Sequence, residues 1–149
     1  MMSRRDALHA VGAGATVLLA GCSLPVDRPG LHLRVKNYRA ANLDVRVELL
    51  DPDAEERSGA VVFSDHVTLP AHSGDGDPRT WRGADVAPAR PYRVEVDVTE
   101  VGRKSYHYHY VPDCTGSATV EPTIEVVLND DPGVAFSQTR CSDGVKSSP

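Results

Sequence analysis

No apolar run in this chain reaches the roughly 20 residues needed to cross a bilayer as a helix. The uncharged stretch near the N-terminus, Ala7 to Gly21, stops at 15 residues and is rich in Ala and Gly. No segment after Cys22 carries a helical apolar period, which leaves strands as the regular element. Aromatic residues make up only 5% of the chain, so its core must be modest and mainly aliphatic. Basic side chains are also in deficit, 16 against 21 acidic, giving a net charge of −5 with His neutral. That sign opposes nucleic acid or an anionic lipid surface as a partner. There is no Gly-x-Ser-x-Gly elbow and no phosphate-cradling glycine loop.

What is present begins at the N-terminus. Arg4 and Arg5 precede the short apolar run, and Leu19-Ala20-Gly21-Cys22 closes it. A charged head, a short apolar middle and small residues before a cut are the parts of an export signal. The paired arginines with a weakly apolar middle resemble a twin-arginine signal, which exports proteins already folded. Leu19 to Cys22 resembles a lipobox. Ala20 and Gly21 suit a peptidase pocket, and the Cys22 thiol is the nucleophile that takes the lipid. Residues 1–21 are therefore expected to be a signal peptide, and Cys22 the first mature residue and the anchor. Losing Arg4, Arg5 and Asp6 with the leader leaves 14 basic and 20 acidic residues, a net charge of −6.

The mature remainder, 128 residues, is enough for one domain and too short for two. Residues 22–30, broken by Pro25 and Pro29, read as a tether. Leu31 to Asn37 then alternates Leu31, Leu33 and Val35 against His32, Arg34 and Lys36, the mark of a half-buried strand. Leu43 to Leu49 repeats the pattern. Val61 to Leu69 is a third strand, in which a strict period of two would turn Asp65 inward; a bulge or an edge position would relieve that. Thr80 to Val86 is a weak strand around Trp81, and Pro91 to Glu100 is the clearest of all. Val101 to Arg103 turns through Gly102, and strands follow at Lys104–Val111, Thr119–Leu128 and Val134–Cys141. Seven or eight short strands separated by turn signals predict an all-β, antiparallel sandwich over residues 31–141, with 142–149 a flexible tail.

His107 and His109, two apart on a strand, point the same way, as a pair of Zn or Cu ligands would. A third ligand is required, with His32, His66 and His72 as candidates. The competing reading turns Tyr106, Tyr108 and Tyr110 to the core and both histidines to solvent. Asp51-Pro52-Asp53, Asp75-Gly76-Asp77 and Asn129-Asp130-Asp131 lack the spacing of a calcium loop, and turns favour Asp and Asn anyway. Ser64-Asp65-His66 has the letters of a hydrolase triad, but neighbours on a strand face opposite ways. Nothing after Cys141 completes a blue-copper set. No catalytic residue, metal or cofactor is assigned.

Cys114 and Cys141 remain once Cys22 is lipidated, and an oxidising exterior favours their pairing. Strand direction brings both to one end of the sheet. The bridge would close about 27 residues and contribute roughly 3 kcal/mol in the chain-entropy model.

Three Lys against thirteen Arg, and fourteen Asp against seven Glu, resemble the usage of halophilic archaea or other GC-rich genomes. With the lipobox, the alternating strands and the closing Val134-Ala135-Phe136-Ser137-Gln138-Thr139-Arg140-Cys141, the chain resembles the small immunoglobulin-like lipoproteins such archaea display. The resemblance implies an immunoglobulin-like sandwich on the outer face of the cell membrane, held by lipid on Cys22. It further implies a binding or envelope-accessory role toward an envelope protein or surface ligand. It brings no catalytic residues. A metal-handling protein built on His107 and His109, and a surface enzyme, are the rival expectations.

Overall fold

The computed structural model describes residues 29–113, 120–130 and 133–140. Eight strands appear in chain order: β1 Gly30–Asn37, β2 Leu43–Leu50, β3 Val61–Leu69, β4 Arg79–Pro88, β5 Tyr92–Thr99, β6 Arg103–Tyr110, β7 Thr123–Asn129 and β8 Gly133–Gln138. A single helical turn, α1 Arg57–Ala60, interrupts the β2–β3 connection. The strands form two four-stranded sheets, ordered β4-β1-β7-β8 and β3-β2-β5-β6. The protein is an all-β sandwich.

The alternation in sequence is the alternation across each sheet. Leu31, Leu33 and Val35 of β1, and Val45, Val47 and Leu49 of β2, are buried to within 1% exposure. Val94 and Val96 of β5 and Ile124, Val126 and Leu128 of β7 complete the aliphatic interior. These four strands occupy the two central positions of each sheet, so their inward residues are covered from both sides. β3, β4, β6 and β8 are edge strands and are only partly buried. Asp65 is explained by that position: β3 pairs with β2 without a break from Leu69 to Phe63, so Asp65 faces the core side, half exposed at the rim.

One pairing departs from the antiparallel expectation. β1 and β7 run parallel, in register from His32 opposite Thr123 to Asn37 opposite Leu128. The cause is chain direction. Successive strands alternate in direction, so β1 and β7, both odd-numbered, point the same way when they become neighbours. The order also differs from the seven-stranded immunoglobulin constant arrangement, where the first two strands share a sheet. Here β1 and β2 lie in opposite sheets.

β4 carries a wide bulge. Leu31 pairs with Ala87 and Leu33 with Gly83, so β4 has two more residues than β1 over that interval. Asp85 takes a left-handed φ of 48° at the crest. A Cβ on Gly83 would lie 2.8 Å from both the Trp81 ring and Val86, so only glycine lets the two side chains close there. The β4–β5 crossing is held by Tyr92, whose hydroxyl donates to the Pro88 carbonyl at 2.8 Å.

At the opposite end, Arg39 in the β1–β2 loop is 9% exposed. Its guanidinium donates to the Asn129 carbonyl at 2.7 Å, the Gly133 carbonyl at 3.0 Å and Glu100 at 3.2 Å. Buried Asn37 donates to the carbonyls of Ala41 and Pro70 and accepts from the Arg39 amide. Four inter-strand connections and both sheets are thereby joined.

Candidate functional site

A dense set of charged side chains gathers on the outer face of β3-β2-β5-β6. Strand register arranges them in rows. One row reads His66, Arg46, Asp97, Ser105; the next reads Ser64, Glu48, Glu95, His107. Glu48 and Glu95 are direct neighbours, an arrangement that repels unless a cation intervenes. Arg57, delivered by α1, is that cation: it lies 2.9 Å from Glu48 and 2.6 Å from Glu95. Arg46 also meets Glu48, and Arg93 meets Glu95 at 2.7 Å. Glu48 is only 4% exposed, and the Ser64 hydroxyl donates to it at 3.3 Å.

The acids respond accordingly. Hydrogen bonding from Arg57 holds the Glu95 carboxyl below its ordinary value, against the effect of burial. Burial pushes Asp97 up, but the Ser105 hydroxyl and Arg103 outweigh it and leave it lowered. Asp44, Arg46, Ser64, His66, Asp97 and Arg103 border a shallow, open depression on this face. Arg46 and Arg103 are engaged by Glu48 and Asp97, and Asp44 accepts from the Thr68 hydroxyl at 2.7 Å. Its hydroxyls serve the carboxylates, Ser64 donating to Glu48 and Ser105 to Asp97.

His107 and His109 project outward from edge strand β6, with ring centroids 6.1 Å apart and near-perpendicular planes. Tyr106, Tyr108 and Tyr110 take the inward side, and Tyr110 is buried at 2% exposure. Tyr108 stacks on Phe136 of β8 at 5.3 Å and so bridges the two sheets. Burial among the tyrosines pushes the Tyr110 hydroxyl up to about 12. Glu95, opposite His107, is engaged by Arg57 and Arg93.

The other histidines are dispersed. His66 is on the far edge of the same sheet, His32 is 3.5 Å from Asp85 on the other sheet, and His72 packs against Tyr38 in a loop. Among the described residues no group of three or more His, Cys, Asp or Glu is placed to hold a metal.

Ser64, Asp65 and His66 do not converge. Ser64 serves Glu48, while Asp65 accepts from the His66 amide at 2.8 Å. Asp51 accepts from the Asp53 amide at 2.9 Å and pairs with Arg90 at 2.9 Å, the turn-stabilising role expected of such residues. Arg4, Arg5, Cys22, Cys114 and Cys141 lie outside the described residues.

Sequence reasoning missed Arg39, Arg57 and Tyr92. Only Tyr92 left a readable sign, a tyrosine opening a strand four residues after Pro88.

No family model matches the chain. No curated protein matches it either. Among solved structures it is similar to a chain described as "Crystal Structure of Gram Negative Toxin", with 13% identity and a TM-score of 0.28 over 77% of this chain. The match covers 24% of that chain, so this protein spans about a quarter of its length.

Proposed function

We propose that this protein is a lipid-anchored, extracytoplasmic binding or envelope-accessory module of the kind halophilic archaea display. In this reading Arg4 and Arg5 direct export, and Cys22 carries the lipid that holds the domain on the outer face of the membrane. The observation that carries it is the position of β1, which opens at Gly30, eight residues after Cys22. Eight residues span at most about 27 Å. The packed sandwich therefore begins a short tether after Cys22, which supports a domain held close to its anchor. "Immunoglobulin-like" applies in the broad sense of a two-sheet sandwich. The Tyr92–Pro88 hydrogen bond supports it, because a tyrosine bonded back across a strand corner is a hallmark of such domains.

A Cys114–Cys141 disulfide belongs to the same reading. Gln138 at the end of β8 accepts from Tyr108 and donates to the Val111 carbonyl, both at 2.7 Å. The exits of β6 and β8 are thus side by side. Cys114 follows β6 by four residues and Cys141 follows β8 by three, about 14 Å and 11 Å of chain at most.

Fractionation tests the anchor. Cys22→Ser should move the protein from membranes to soluble or uncleaved fractions. Detergent-extractable mature protein unchanged in that variant would defeat the proposal. Crosslinking from intact membranes would then identify the envelope partner.

A further inference from the structure

The geometry points to an oxyanion site on the outer face of the other sheet, formed by Arg34 and Arg82. This site is independent of the lipid anchor. Arg34 and Arg82 are register partners across β1 and β4, so their Cβ atoms are about 5 Å apart. Leu33 and Val35 flank Arg34 and are buried at 1% and 0% exposure, which fixes Arg34 on the outer side.

Like charges directly opposite destabilise a sheet unless something intervenes. On the β3-β2-β5-β6 face the corresponding like-charged pair, Glu48 and Glu95, is bridged by Arg57. The arginine pair has no such bridge. Arg39, Arg46, Arg57, Arg90, Arg93 and Arg103 each meet a carboxylate within 4 Å. Neither Arg34 nor Arg82 does so among the described residues.

The nearest acids are committed elsewhere. Glu125 is the register partner of Arg34 on β7, but its carboxylate is held by Lys36 at 2.8 Å. Asp85, beyond the bulge, turns to His32. Glu121 and Glu125 line the groove on the β7 side of Arg34, so an anion shared with Arg82 has to sit on the β4 side.

Guanidinium groups carried on opposed positions of β1 and β4 can turn their paired N–H donors to one carboxylate, sulfate or phosphate group. The overall negative charge repels an extended polyanion, so the ligand is a single oxyanion or one terminal group on a larger molecule.

The test uses the full chain, following the arginine Nε–H resonances by NMR as sodium sulfate replaces sodium chloride at constant ionic strength. Sodium acetate in a parallel titration separates a carboxylate from a tetrahedral dianion. The expected result is a saturable shift confined to Arg34 and Arg82, in one titration or both. Arg34→Gln or Arg82→Gln should weaken binding about fivefold or more. Arg93→Gln, on the opposite face, should leave it unchanged and controls for folding. Shifts that spread over all arginines, fail to saturate in both titrations, or persist in the Arg34→Gln, Arg82→Gln double variant would overturn the site.

Discussion

Replacing Arg39 with Met should cost about 2–4 kcal/mol of stability. The methionine keeps most of the apolar stem and removes only the guanidinium. Two of the three acceptors lost are main-chain carbonyls, Asn129 and Gly133, gathered by a side chain that is itself 10% exposed. Hydrogen bonds to a charged donor contribute roughly 1.5–3 kcal/mol each, and carbonyls left dry cost more than ones returned to water. The third acceptor, Glu100, is 40% exposed, so its share is at most about 1 kcal/mol. Glu100→Gln isolates that share and should cost less than about 1 kcal/mol. Domains of this size have about 5–15 kcal/mol in total, so the Met variant would lose a large part of it. In urea, with a slope of about 1–3 kcal/mol per molar, the midpoint should fall by about 1–2 M. A change under about 0.5 kcal/mol would show that the three loops are held together without Arg39.

Three further outcomes are expected. The lowered Glu95 means that the native state binds fewer protons than the unfolded chain around pH 4. This contribution is present above the ordinary Glu value of 4.5 and is lost as pH falls through the lower native value. Arg57→Ala should flatten the acid limb of a stability–pH curve, and an unchanged limb would refute the role of Arg57. Changing His107 and His109 together to Ser should shift stability by less than about 0.5 kcal/mol, as for ordinary surface sites. A large fall in melting temperature, or a loss of bound Zn or Cu by elemental analysis, would instead favour the metal reading. Mass analysis of alkylated, unreduced mature protein should find Cys114 and Cys141 joined, and their reduction should cost roughly 3 kcal/mol. Two free thiols besides Cys22 would disprove the bridge.

The central strands were the legible part of the fold. Leu31 to Val35, Leu43 to Leu49 and Tyr92 to Val98 are covered by neighbours on both sides, so their inward positions tolerate only apolar residues and alternation is strict. Edge strands are under a weaker constraint. β4 showed only a faint pattern because the inward parity of its run is taken by Gly83 and the bulge residue Asp85, and Asp65 broke the pattern of β3 because the rim is half wet. The parallel β1–β7 ladder was hidden for another reason. Period two fixes which face a residue takes, and says nothing of which distant strand lies beside it. The outward histidines and inward tyrosines of β6 were readable as one of two alternatives, because a tyrosine ring gains from burial what a histidine does not need. Arg39 and Arg57 were opaque, since loop arginines acquire a role only when folding brings distant acceptors to them.

The central place of β1 has a mechanical consequence for a domain held through Cys22. Tension entering at Gly30 runs along a strand flanked by β4 on one side and β7 on the other. The ladder hydrogen bonds lie across that direction, so the pull shears two rows together. A strand at a sheet's rim, peeled from one end, would surrender its bonds one after another. Under the proposed anchoring, a pull through Cys22 would therefore meet two ladders at once.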